Sequence, residues 1–174
     1  MTKPFVSVII PTYNSEKYLI ETLESLRSQI YTNWEVIISD DCSNDSTVSL
    51  AQKFSNKVPQ PVIILQNKYN VGLAENRNKA IKEANSSWIA LLDSDDIWMP
   101  THLNDCVNAA TSTNANFIHS GSIQFDSCTG KIIRTIAPFK NATLNLPKSL
   151  FDGSYRIQPS SVMFTLKLFQ AAVT

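Results

Sequence analysis

The sequence predicts an α/β protein built on a mainly parallel sheet, and three observations carry that expectation. Four short runs of aliphatic residues recur within the first hundred positions. None alternates apolar with polar residues, as a sheet with one wet face would require. Segments with helical spacing separate them, and strands joined by helices make a parallel sheet covered on both faces.

The first run, Phe5 to Ile10, ends at Pro11. Residues 15–30 then place Leu19, Leu23, Leu26 and Ile30 at the spacing of one helix face. The second run, Glu35 to Ser39, ends at Asp40-Asp41. Asp45, Ser46 and Thr47 offer capping chemistry for a helix reaching about Phe54. The third run, Pro61 to Leu65, ends at Gln66-Asn67. Leu73, Ala80, Ile81 and Ala84 mark the inner face of the next helix, with Asn85 as its C-terminal cap. Trp88 to Leu92 is the fourth run, and Asp93-Ser94-Asp95-Asp96 follows it at once.

Beyond residue 100 the rhythm changes. Thr101 to Thr113 reads as a helix with Leu103, Val107 and Ala110 on one face. Ala115 to Ser120 reads as a strand. Ser122 to Phe125 and Lys131 to Ile136, joined through Asp126–Gly130, read as a hairpin. Leu144 to Phe151 is expected as a short helix and Ser161 to Thr165 as a late strand. This second half is mixed and antiparallel in character. There is no internal repeat, low-complexity tract or linker, so one domain is expected.

Composition narrows the function classes. At 174 residues, 43% of them hydrophobic and 17% charged, the chain can bury a real core. Fifteen basic residues balance fifteen acidic ones, leaving no basic surplus for nucleic acid. Cys42, Cys106 and Cys128 have no CxxC spacing and no adjacent histidine, which argues against zinc and against a disulfide framework. Their odd number fits a reducing compartment. The apolar opening is interrupted by Pro11 and reads as a first strand, not a signal peptide. No run approaches the ~18 apolar residues of a membrane helix.

In a parallel sheet, ligands bind beyond the carboxyl ends of the strands, where the strand order switches. Here those ends are polar: Pro11-Thr12-Tyr13-Asn14, Asp40-Asp41, Gln66-Asn67 and the Asp93–Asp96 stretch. Asp93, Asp95 and Asp96 crowd three like charges into four residues. A hard divalent cation would neutralise them, and Mg²⁺ or Mn²⁺ commonly holds one or two carboxylates together with substrate phosphates. On extended backbone, side chains two apart face the same way, so Asp93 and Asp95 could share one ligand. The plainer alternative is a solvated turn with a helix cap. Asp40-Asp41 could likewise be an Asx cap or a ligand contact. Arg77 is either a surface arginine or a fixed cation facing the nucleotide or the acidic cluster. GxGxxG and GxxxxGK[ST] are both absent, so a metal is the better candidate for holding phosphates. His102 and His119 read as structural residues.

Four segments, VSVIIPTYN (6–14), WEVIISDDCS (34–43), NVGLAENRNKAI (70–81) and LLDSDDIWMP (91–100), together resemble a family 2 glycosyltransferase of the GT-A fold. The resemblance extends from about residue 5 to 169 and is strongest through residue 100. It implies a single GT-A domain over 1–174, with residues 1–100 as the nucleotide-sugar-binding half and 101–174 as the start of an acceptor-side half. It implies that Pro11, Thr12 and Tyr13 line the nucleobase pocket and that Asp41 hydrogen-bonds the base, usually uracil. Arg77 would stand near the base. Asp93 would reach the ribose or the metal shell, Ser94 would contact the nucleotide, and Asp95 would ligate Mn²⁺ or Mg²⁺. Gln158 to Phe164, with Ser160 and Ser161, resembles the segment beside the donor sugar and acceptor.

The implied reaction moves a sugar from a nucleotide-diphosphate sugar, UDP favoured, to a saccharide or lipid-linked acceptor hydroxyl, with inversion. No residue matches the family's general base, which is expected beyond Thr174. The alternative is therefore a nucleotide-sugar-binding module without turnover. A cytoplasmic place is implied, at or near the inner face of the membrane.

Overall fold

β1 (Val6–Thr12), β2 (Trp34–Asp40), β3 (Val62–Gln66) and β4 (Trp88–Leu91) pair in parallel. The computed structural model describes residues 5–137 and 157–173. β5 (Phe117–His119) and β8 (Val162–Thr165) complete a six-stranded sheet of order β3-β2-β1-β4-β8-β5, with β8 antiparallel to both neighbours. β6 (Ser122–Phe125) and β7 (Ile132–Ile136) form a separate antiparallel hairpin. The helices are α1 (Leu19–Arg27), α2 (Thr47–Ser55), α3 (Leu73–Lys82), α4 (His102–Thr113) and α5 (Leu166–Val173).

The unalternating strands are explained by packing on both faces. Every residue of β1 and β2 is buried. Val6, Val8 and Ile10 point toward Leu19, Leu23 and Leu26 of α1 and Leu103 and Val107 of α4. Ile9 points the other way and packs with Ile37, Ile89, Ala80 and Ile81. Truncating such a side chain to alanine costs about 2–5 kcal/mol.

Several sequence expectations shift in detail. β1 runs through Pro11 instead of stopping there. The Ile9 carbonyl accepts from the Leu92 N–H, so Pro11, two residues on, turns its nitrogen to that same side. β4 has ended by then, and the missing N–H breaks no ladder. Ile30 lies past the end of α1 and is 61% exposed, and its N–H donates to the Pro100 carbonyl. Leu73 opens α3 and is 58% exposed, so it faces outward instead of lining the core. Asn85 does not cap α3, whose C-cap is Glu83. Its backbone N–H and Nδ2 donate instead to the buried Glu35 carboxylate, at 2.8 and 2.9 Å. The expected helix at Leu144–Phe151 lies outside the described residues.

β1, β2 and β3 step in one direction, and β4 lies on the other side of β1. The order therefore reverses between β1 and β4, and a crevice opens at their carboxyl ends.

Candidate functional site

A cavity of about 360 Å³ lies at this rim. Pro11, Thr12 and Tyr13 bring the end of β1 to it, followed by Ser15, and Asp41 brings the residue after β2. Asn70, Gly72, Leu73 and Asn76 contribute the loop before α3 and its first turns, and Ser94 contributes the acidic loop. Tyr13 is 51% exposed, so an aromatic ring and the Leu73 side chain are both open to solvent among its lining residues. Five of the sequence-predicted residues, Pro11, Thr12, Tyr13, Asp41 and Ser94, thus line one cavity. Arg77, Asp93 and Asp95 are not among its lining residues.

The two adjacent aspartates do different things. Asp40 is buried and ties its own turn to the end of β1. Its carboxylate accepts from Thr12 Oγ1 (3.0 Å), Ser43 N (2.9 Å) and Ser43 Oγ (2.5 Å). Asp41 is buried too, but it reaches across to the next loop. Its Oδ1 accepts from Val71 N (2.9 Å) and Asn67 Nδ2 (2.8 Å), and its Oδ2 accepts from Gly72 N (2.8 Å). Gly72 holds φ at +86°, a conformation side chains disfavour, and so turns its N–H onto that oxygen. Asp41 therefore fixes the wall of the cavity, whatever it also offers a ligand.

The acidic loop resolves its own repulsion residue by residue. Asp93 Oδ1 accepts from Arg77 Nη2 at 2.5 Å, with both side chains mostly buried. Arg77 Nε is buried without an acceptor among the described residues, so this pair is the main compensation of the guanidinium. Asp96 lies beside Ser160, and its carboxyl is raised above the ordinary carboxylate value. Desolvation is the main cause; a hydrogen bond from Ser160 offsets it in part, and the charges of Asp95 and Asp93 add to it. Asp95 is exposed and makes no hydrogen bond or ion pair within the described residues. Ser94 is held by its Oγ, 2.8 Å from Ser15 Oγ, and by its carbonyl, which accepts from Thr22 Oγ1 at 3.0 Å.

Among the described residues, no three His, Cys, Asp or Glu side chains converge as a finished metal cage. The unengaged carboxylate of Asp95, next in sequence to the cavity-lining Ser94, could instead serve a hard cation that completes its shell with phosphate oxygens.

Ser160 and Ser161 lie in a 3-10 turn, Pro159–Ser161, that leads into β8. Ser160 Oγ accepts from Asp93 N at 2.8 Å, so this serine touches the acidic loop. The Ser161 hydroxyl and N–H both donate to the Gln158 carbonyl, so Ser161 serves its own turn. His102 stacks on Trp98 with centroids 4.5 Å apart, and burial lowers it to about 4. It is a neutral structural residue, as its sequence context suggested. The three cysteines are unpaired, and burial pushes Cys106 up to about 11.

Sequence reading passed over Asn76. It is 1% exposed; its Nδ2 donates to the Ser39 carbonyl (2.7 Å), and its Oδ1 accepts from Ser39 Oγ (2.6 Å) and Asn67 Nδ2 (2.9 Å). The available signal was an amide one turn into a helix, on the face otherwise carrying Ala80. Such an amide must find partners inside the fold.

The description "Glycosyl transferase family 2" matches residues 7–170. The chain belongs to this family. A family member of Escherichia coli named UDP-Glc:alpha-D-GlcNAc-diphosphoundecaprenol beta-1,3-glucosyltransferase WfgD is 35% identical over 130 residues, covering 74% of this chain and 50% of that one. The putative teichuronic acid biosynthesis glycosyltransferase TuaG of Bacillus subtilis is 42% identical over 96 residues, covering 55% and 38%. The crystal structure of S. aureus TarS 1-349 in complex with UDP superposes with a TM-score of 0.77 at 26% identity, covering 97% of this chain and 49% of that one. The fold is therefore the GT-A fold of that glycosyltransferase. The chain spans about half the length of these relatives or less. No helix among the described residues is long and apolar enough to cross a membrane.

Proposed function

We propose that this chain binds a nucleoside-diphosphate sugar, with UDP as the favoured nucleotide, and belongs to an enzyme that transfers the sugar to an acceptor hydroxyl. The cavity at the β1/β4 switch carries this reading. Its size suits a nucleoside, its walls mix an exposed aromatic ring with polar groups, and the residue after its lining Ser94 carries an unengaged carboxylate. Residues 1–100 supply this donor half, and residues 101–174 begin the acceptor-side half. The UDP in the TarS structure and the UDP-glucose in the name of WfgD support uridine as the nucleotide.

In this reading Tyr13 stacks on the base, and Asp41, through its pinned loop and remaining acceptor capacity, recognises the base edge. Arg77 fixes Asp93 toward the ribose side. Asp95 would hold Mg²⁺ or Mn²⁺, with Asp93 beside it. When bound, that cation supplies neutralisation of the negative charge on the departing diphosphate. The acceptor is a saccharide or lipid-linked hydroxyl attacking with inversion, and the setting is cytoplasmic, at or near the inner membrane face. Polysaccharide assembly fits the teichuronic acid named for TuaG.

Calorimetry with UDP, GDP, ADP and CDP, each with Mn²⁺ and with chelator, tests the reading. Tighter Mn²⁺-dependent binding of UDP is expected, and equal or absent binding of all four nucleotides would overturn it. A second reading, donor binding without turnover, is favoured by one observation. Among the described residues, Asp41 and Tyr13 are the only titratable ones lining the cavity, and Asp41 is already engaged by three donors. Release of the sugar from UDP-sugar by this chain would exclude the second reading.

A further inference from the structure

The acidic loop is gripped by a turn from the far end of the sequence. Asp93 N donates to Ser160 Oγ at 2.8 Å across 67 positions of sequence. Ser160 is itself 8% exposed, and its carbonyl accepts from the Trp98 indole N–H at 2.6 Å. Trp98 is 5% exposed; its N–H donates to Ser25 Oγ at 3.1 Å, and its ring lies against His102. The turn carrying Ser160 is closed by Ser161 N and Oγ on the Gln158 carbonyl, and it leads directly into β8 beside β4. On the opposite side Arg77 takes the Asp93 carboxylate, and within the loop Asp96 N donates to the Asp93 carbonyl at 3.0 Å. Asp93 is therefore held by backbone N–H, carbonyl and carboxylate at once, while Asp95 two residues on is held by nothing in the described chain.

We infer that Ser160, braced by Trp98, is a positioning residue that aims the Asp93–Asp96 loop so that Asp95 meets an incoming cation and diphosphate. This goes beyond an acceptor-side role for Ser160 and rests on the donor-site reading above. The physical basis is preorganisation: a ligand whose direction is already fixed loses less freedom on binding, and groups that orient a metal ligand commonly account for about 10–100-fold in metal affinity. A serine hydroxyl suits the task because its oxygen accepts from Asp93 N and its small side chain fits a nearly buried turn. Alanine at the same place would keep the backbone and the Trp98 bond to the carbonyl, but lose the grip on the loop.

The test compares parent, Ser160→Ala, Ser160→Thr and Trp98→Phe by calorimetry with UDP, in Mn²⁺ and in chelator, with thermal melts to check folding. Ser160→Ala is expected to lose about tenfold in UDP affinity in Mn²⁺ and to match the parent in chelator. Ser160→Thr restores the Mn²⁺ value, and Trp98→Phe shows a smaller loss in the same arm. Hydrogen exchange gives a ligand-free readout, in which the Asp93 amide becomes fast in Ser160→Ala alone. Parent-like UDP affinity of Ser160→Ala in Mn²⁺, or an equal loss in both arms, overturns the inference while leaving the donor site standing. A parent that binds UDP in neither condition overturns the donor-site reading and this inference with it. Should Ser160→Ala fail to fold, Trp98→Phe and Ser160→Thr carry the same comparison, and parent-like Mn²⁺ affinity of Trp98→Phe then overturns it.

Discussion

Asp41→Asn isolates the difference between a residue that shapes the cavity at the β1/β4 switch and one that only waits for a ligand. The carboxylate accepts from Val71 N and Asn67 Nδ2 on one oxygen and from Gly72 N on the other. Hydrogen bonds to a charged acceptor are worth about 1.5–3 kcal/mol each, and neutral ones about 1 kcal/mol. The asparagine carbonyl can keep the two bonds on Oδ1 at neutral strength, which removes about 1 kcal/mol from each. Its amide then faces the Gly72 N–H, donor against donor, and that N–H retains only Asn70 Oδ1, at 3.1 Å. The gross loss is about 3–5 kcal/mol, and the lower cost of burying a neutral group brings it to about 2–3 kcal/mol. Urea denaturation followed by circular dichroism should show a midpoint lowered by about 1–2 M with an unchanged slope. Exchange at the Val71 and Gly72 amides should quicken, and UDP binding should weaken in Mn²⁺ and in chelator alike. An unchanged urea midpoint with abolished UDP binding would refute the reasoning, since Asp41 would then contact ligand without holding the wall.

Four further outcomes follow from the same geometry. Asp95→Ala should abolish the Mn²⁺-dependent part of UDP affinity without moving the melting temperature, and calorimetry that finds the Mn²⁺ effect intact removes Asp95 from the metal site. Arg77→Met strips Asp93 of its cation at a largely buried pair and should cost about 1–2 kcal/mol once solvent screening is allowed for; an equal denaturation midpoint argues against that compensation. His102 titrates near 4 in the fold against an ordinary 6.5, so the unfolded chain takes up its proton first as pH falls. Its contribution is fully present above 6.5 and is lost down to about 4, at most about 3 kcal/mol, and His102→Gln should flatten the pH 7 to pH 5 drop in urea midpoint relative to the parent. Glu35→Gln sets an amide against the Asn85 and Ser7 donors of a sealed pocket and should destabilise by about 2 kcal/mol, as a thermal melt would register.

The sheet was legible because its signals are local. Val6 to Ile10 is apolar at every position but Ser7, and Val36 to Ile38 at every position, so both faces carry apolar residues, and only a doubly covered strand tolerates that. The site was legible as a rim, since polar residues follow each strand and topology gathers strand ends. Asp93 and Asp96 could not be told apart from sequence, because their difference is made by Arg77, 16 positions before Asp93, and by Ser160, more than 60 after. Asp40 and Asp41 are adjacent and chemically identical, yet one ties its turn back to β1 and the other spans to residue 72. Leu73 matched the helix period but heads its helix, and the first turn of a helix faces wherever the preceding loop delivers it. Asn85 likewise matched a cap, but a buried Glu35 with unfilled acceptors is a stronger demand than a frayed helix end.

The antiparallel seating of β8 has a consequence for how the chain acquires its site. β1 to β4 emerge first during synthesis and can pair among themselves, but β4 then presents one side of its backbone unpaired until residues 162–165 arrive. An exposed strand edge invites pairing with other chains. Closing it requires a contact across some 70 positions, the kind of non-local step that slows folding. A fragment ending before residue 157 would carry β1 to β4 and still lack the serine that grips Asp93, so it should aggregate through β4 and hold its acidic loop loosely. The last described stretch of this chain is therefore the clasp on a site whose visible parts all lie in the first hundred residues.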